Sequence, residues 1–215
     1  MTTTNVSRPT GLKPSRFLKG AKWNGQSQLY AFAAAQANNA YVGDLVQFDD
    51  TNRATAITDV YAPGIPLVKP VVATLTTNAF RGVISGFVVQ PEFNMTPTAT
   101  LGLYYRVLST ARYVFVVDDI DVVFQAQEKG NAYVTALDNG VNKTTDITYV
   151  AGSALTGQSG VYLNTPAASG VKPLRINRYS QLPNNFGFVA ADTDSFAQMD
   201  VTIANSDMAQ ANVGL

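Results

Sequence analysis

The chain has 215 residues, with 15 basic and 15 acidic groups and neither cysteine nor histidine. Disulfides, thiol chemistry, Cys/His zinc sites and every histidine-based catalytic arrangement are thereby excluded. The even charge total hides an asymmetry: residues 1–43 carry five basic groups and no acid, leaving ten basic groups against all fifteen acidic ones in the rest.

Arg8, Lys13, Arg16, Lys19 and Lys22 alternate with Pro9, Gly11, Pro14, Gly20 and Gly25, and Phe17, Leu18 and Trp23 stand among them. Proline fixes φ and keeps its predecessor out of the α region, so residues 10–17 are not expected to be helical. The stretch is also too interrupted for a central strand. Residues 1–25 therefore read as an extended, basic N-terminal arm that gains order by lying on another surface. Trp23, the only tryptophan, either packs back on the body or anchors in a partner. Interface anchors are rich in Trp and Arg, which makes Arg16, Phe17 and Trp23 candidate hot spots beside the basic contacts Arg8, Lys13, Lys19 and Lys22.

After the arm come short β-prone runs separated by turns. Gln28 to Ala33 reads as a strand, Ala34 to Ala40 as a turn region, and Tyr41 to Phe48 as a strand ending at Asp49-Asp50-Thr51-Asn52. Arg53 to Val60, Val68 to Leu75 and Phe80 to Val89 follow, with Gly82 and Gly86 marking a bulge or a close backbone approach. The Pro/Thr segment from Pro91 to Thr100 reads as a subdomain boundary, dividing a β-rich unit over 26–90 from the main barrel or sandwich over 91–205. Leu101 to Leu108, Arg112 to Val117 and Asp121 to Gln127 are the next strands. The Asn/Gly/Ser/Thr-rich span from Asp138 to Pro166 contains strand-like Ile147 to Val150 and Val161 to Leu163. Lys172 to Asn177, Asn185 to Ala190 and Gln198 to Ala204 complete the set, before a small polar tail over 206–215 expected to be flexible. Helical periodicity is absent, so the expected fold is all-β: an antiparallel β-barrel or jelly-roll-like sandwich.

Few residues offer chemistry. Asp118, Asp119 and Asp121 form the one carboxylate cluster. They suit either a divalent cation or a turn whose aspartates accept backbone N–H bonds, and the missing Gly-centred spacing and histidine favour the turn. Gly157-Gln158-Ser159-Gly160 resembles a nucleophile elbow, but Val161 stands where glycine is required and no histidine exists to activate Ser159. Tyr104, Tyr105, Tyr113, Phe115 and Phe124 form either a stacking platform or cross-strand core pairs, and their place within strands favours the core. No glycine-rich phosphate loop occurs. No cofactor is expected. A body with an acidic excess repels nucleic acid, and five spaced cations fall short of a dense phosphate-binding patch. With no apolar run of signal-peptide or membrane-span length, no membrane partner is expected, and the chain is expected to be made in the cytoplasm and to stay soluble, or to leave it by a route that needs no signal.

Leu103 to Val114, followed by Val117-Asp118-Asp119 and Val123 to Glu128, resembles a pattern in capsid decoration (cement) proteins and related virion structural proteins of tailed bacteriophages. Gly157 to Leu163, Pro173 to Ile176 and Leu182 to Asn185 follow the same pattern in order, as do Arg8 to Leu12 and Trp23-Asn24-Gly25 at the start. The resemblance spans most of the chain, and its motifs are structural, so it transfers no active site. It implies a β-barrel or jelly-roll-like protein that binds the outer surface of a capsid and ties neighbouring major capsid subunits together. One departure stands at the end: the family usually closes on a strand with a basic or His-bearing tail, where this chain has Met199 to Ala204 and small polar residues. Joined to the basic arm, the resemblance gives a non-enzymatic cement protein on the virion, associated with the major capsid protein and with copies of itself as dimers or trimers. Alternatives are a carbohydrate-binding β-sandwich displayed on the virion, a neck or tail component, and a metal-dependent hydrolase using the three aspartates.

Overall fold

β-branched and aromatic runs become strands wherever Gly, Pro and Asx turns release them. The computed structural model describes residues 6–50, 64–73, 79–88, 104–129, 141–167, 172–180 and 196–208. In chain order its strands are β1 (Lys13–Phe17), β2 (Gln28–Phe32), β3 (Ala40–Tyr41), β4 (Leu45–Phe48), β5 (Val68–Pro70), β6 (Gly82–Phe87) and β7 (Tyr105–Arg106). There follow β8 (Arg112–Val117), β9 (Val122–Gln127), β10 (Thr144–Thr148), β11 (Tyr162–Ala167), β12 (Leu174–Tyr179) and β13 (Gln198–Ile203). No helix occurs among the described residues.

The strands form a five-stranded sheet, β2-β8-β6-β4-β5, a six-stranded sheet, β1-β9-β13-β12-β10-β11, and the short pair β3-β7. All their ladders are antiparallel. The all-β expectation holds, as a sandwich of two curled sheets rather than a closed barrel. In the smaller sheet the far strands β2 and β5 meet at a parallel bridge between Ala31 and Leu67, and in the larger sheet β11 returns to the end of β9, one strand in from the edge, at a parallel bridge between Glu128 and Leu163.

The main core lies between the sheets. Leu45, Val83 and Val117 of the smaller sheet meet Phe124, Ile147, Leu174, Ile176 and Val201 of the larger one. The smaller sheet is covered on its other face too, where Phe32, Val46, Ile84, Val114 and Val116 form a second cluster inside its curl. Each such side chain contributes roughly 1.5–3 kcal/mol on leaving water. Gly82 permits the tight approach of β6 to β8, since a Cβ there would lie 2.3 Å from the Val117 carbonyl oxygen. The irregularity expected nearby falls between Ile84 and Gly86.

Several expectations need correction. The proposed division at 91–100 does not separate two units: β8, from the second half, sits between β2 and β6 of the first half, and both halves share one core. Strand pairing is non-local, so a Pro/Thr-rich connection marks a crossover as readily as a boundary. Tyr41 to Phe48 is not one strand, because Gly43 takes φ +95° and splits it. Val68 to Leu75 shrinks to three residues ending at Pro70, which has no N–H for the ladder. The start of the tail is tied down: Phe80 N–H donates to the Asn205 carbonyl at 2.9 Å, and Asp207 N–H to the Phe80 carbonyl at 3.1 Å. The strands expected over Arg53 to Val60 and Asn185 to Ala190, the Pro91 to Thr100 connection and the last seven residues lie outside the described residues.

The largest correction concerns the arm. Residues 6–25 are extended, but they lie on the chain's own body. β1 pairs with β9, Lys13 opposite Gln125 and Phe17 opposite Val122. Before it, Arg8 N–H donates to Gln127 Oε1 at 2.8 Å, Gln127 Nε2 donates to the Val6 carbonyl, and Ser7 Oγ lies 2.8 Å from the Tyr162 hydroxyl of β11. Leu12 is 1% exposed in the inter-sheet core. The leader is thus a strap along the seam between β9 and β11, filling the edge that the curl of the larger sheet leaves open. The other surface on which the arm gains order is the chain's own β9 edge, which is always at hand and costs no association entropy.

Candidate interaction surface

The strap continues into a tight hairpin. Gly20, at φ +95°, turns the chain, Gly20 N–H donates to the Phe17 carbonyl at 2.9 Å and Phe17 N–H to the Ala21 carbonyl at 2.8 Å. Trp23 N–H reaches the Ser15 carbonyl at 3.2 Å. The returning residues therefore cover the outer edge of the second half of β1. Pro14, without an N–H, blunts the first half.

This geometry divides the seven expected contact residues into two groups. Arg16, Phe17 and Trp23 face inward. Arg16 Nη2 lies 3.0 Å from Asp200 Oδ2, an oxygen shared with Arg178 at 2.9 Å, and Asp200 is buried. Phe17 and Trp23 pack against the main core, and the Trp23 indole N–H donates to the Gln26 carbonyl at 3.2 Å. Arg8, Lys13, Lys19 and Lys22 face outward, and none of them belongs to an ion pair among the described residues. A groove of about 460 Å³ runs beside the strap between Trp23, Lys13, Val42 and Gln158.

The hairpin tip stands next to the aspartate turn, joined to it by the Leu18 N–H, which donates to the Asp121 carbonyl at 2.8 Å. Asp119 Oδ1 accepts the Asp121 N–H at 2.8 Å, the bond expected of an Asx turn. Asp118 accepts the Tyr30 hydroxyl at 2.7 Å. Burial, with that carboxylate as a second cause, pushes the Tyr30 phenol well above its ordinary range. Behind the turn lies an open cleft of about 650 Å³ between Tyr30, Arg81, Asp118, Asp119, Ile120 and Met208. Arg81 is held there by Asp207 at 3.1 Å and stacks on the Phe48 ring at 3.6 Å. Among the described residues no three acidic groups converge as a metal site would require.

The remaining candidates are internal. Ser159 is buried, and its hydroxyl accepts the Val161 N–H at 3.1 Å. Asp44 accepts the Tyr41 N–H at 2.8 Å, and burial raises its pKa to about 6. Tyr113 and Phe124 are core residues, and Tyr105 stacks on Tyr41 at 5.2 Å, whereas Tyr104 is exposed and Phe115 partly so. The aromatics do not share one exposed face.

Sequence reasoning missed Arg106. Fully buried, it donates to the carbonyls of Thr110, Asn38, Ala33 and Gln36 at 2.5–3.0 Å and packs over the Phe32 ring. It satisfies the irregular segment 33–38 that no ladder could reach. Burial pushes its pKa down to about 10. A basic residue within a short aromatic strand was the available signal.

No protein-family model, curated protein or solved structure matches the chain.

Proposed function

We propose that the chain is a virion structural protein of a tailed bacteriophage that binds the outer surface of the capsid and cements neighbouring major capsid subunits. The observation that carries this reading is the strap: its apolar and paired residues fasten it to the body, while Arg8 and Lys13 line an outer edge and have no ion-pair partner among the described residues. Such an edge is already ordered, so little conformational entropy is lost when it meets an acidic protein surface. Low overall charge, at 14% of residues, suits surfaces partly covered by neighbours. The resemblance to cement proteins in the sequence supports the same assignment. Contacts made only with the assembled shell would stabilise it by linkage, multiplied by symmetry.

The test is co-sedimentation with DNA-free phage heads assembled without this chain, followed by heating. The reading predicts saturable binding and a higher temperature of head disruption. Absence of binding at low salt, or binding to isolated tail parts and not to heads, overturns the capsid assignment.

A further inference from the structure

We infer that the end of the molecule formed by the hairpin tip and the aspartate turn is a self-complementary surface for a second copy of this chain. Two tips stand side by side there. One, residues 18–22, carries Leu18, Lys19 and Lys22; the other, residues 119–121, carries Asp119, Ile120 and Asp121; all six are exposed. Their backbones are joined through Leu18 and Asp121, so the opposite charges are held at a fixed spacing. Yet no ion pair among the described residues links a tip lysine to a turn aspartate. Leu18, 48% exposed, and Ile120, 44% exposed, place an apolar residue on each tip.

A two-fold axis passing between the tips would set the lysines of each copy against the aspartates of the other, with Leu18 and Ile120 near the axis. That is the requirement of an isologous interface: one patch that complements itself. The cleft behind the turn, walled by Asp118 and Asp119, gives a long lysine side chain of the second copy room to enter. A purely basic or purely acidic partner fits worse, because each would meet a like charge on one of the tips. The proposal is independent of the capsid reading, in which Arg8 and Lys13 face the coat.

Sedimentation equilibrium of the intact chain without capsids tests it. At low salt the wild type is expected to show twice the chain mass, returning to one chain mass at about 1 M salt, where the screening length falls to about 3 Å. Variant Lys19→Glu/Lys22→Glu and variant Asp119→Lys/Asp121→Lys should each stay at one chain mass alone. Mixed, they should recover the doubled mass, because the acidic tip of one meets the basic turn of the other. Recovery also shows that both variants fold. A wild type of single mass at low salt, variants that dimerise alone as well as the wild type, or a mixture that stays monomeric overturns the inference.

Discussion

The Leu12 N–H donates to the Gly43 carbonyl across 2.9 Å, at a crossing where neither Gly11 nor Gly43 has room for a side chain. A Cβ on Gly11 would lie 2.4 Å from the Gly43 oxygen and 2.5 Å from Ser159 Cβ, and Gly11 has φ +66°. Gly20 also has positive φ but nothing within 4 Å. Gly20→Ala should therefore cost only the left-handed backbone penalty, about 1–2 kcal/mol. Gly11→Ala adds a backbone clash, and its urea midpoint should fall well below that of Gly20→Ala. Equal midpoints would mean that the strap does not cross there.

Leu12 measures how firmly the strap belongs to the body. A leucine on a free arm contributes nothing to stability, whereas truncating a buried one costs about 2–5 kcal/mol. Leu12→Ala is expected in that range by denaturant unfolding, with Leu18→Ala, at an exposed tip, within about 0.5 kcal/mol of wild type.

Arg106→Met keeps the length of the side chain and removes its donors. Four carbonyls in and beside segment 33–38 lose a donor, although those of Ala33 and Gln36 each keep a backbone N–H. With about 1–3 kcal/mol for each of the other two carbonyls, Asn38 and Thr110, the variant should be destabilised by at least about 2 kcal/mol. Hydrogen exchange should show early opening at Gln36 and Ser109, whose N–H groups donate to the Ala33 and Gln36 carbonyls.

Asp44 sets a pH dependence of defined sign. Its folded pKa of about 6 lies above the ordinary 3.8, so the folded state holds the proton more tightly than the unfolded state. The resulting stability is fully present below about pH 4 and is lost as pH rises through about 6, amounting to roughly 3 kcal/mol. Asp44→Asn removes this loss. The difference in unfolding free energy between variant and wild type should shift in favour of the variant from pH 4 to pH 7, then level off. A flat difference would show that Asp44 titrates normally.

How far the sequence was legible depended on whether a signal was local. Arg112 to Val117 matches β8 residue for residue, and Gln198 to Ala204 matches β13 to within one residue, because runs rich in β-branched and aromatic residues and free of Gly and Pro favour a strand. The Asp118 to Asp121 turn was readable from Asx chemistry. Leu12 was not: a single leucine between Gly11 and Lys13 has no periodicity, and only the seam in a sheet built more than a hundred residues later makes it core. Arg16, Phe17 and Trp23, expected as hot spots for a partner, pack instead on the chain's own body. Composition reveals that a residue needs a partner without revealing which one. Asp44 and Arg106 were hidden for the same reason, since burial of a charge depends on long-range packing.

The binding isotherm of the Arg8→Glu/Lys13→Glu variant on empty heads tests the central claim most directly, because both side chains are exposed and form no ion pair among the described residues, so the fold should be unaffected. The account predicts at least tenfold weaker binding than wild type, corresponding to about 1.4 kcal/mol, and a shallower dependence on salt. Binding of the variant with wild-type affinity and salt dependence would contradict it.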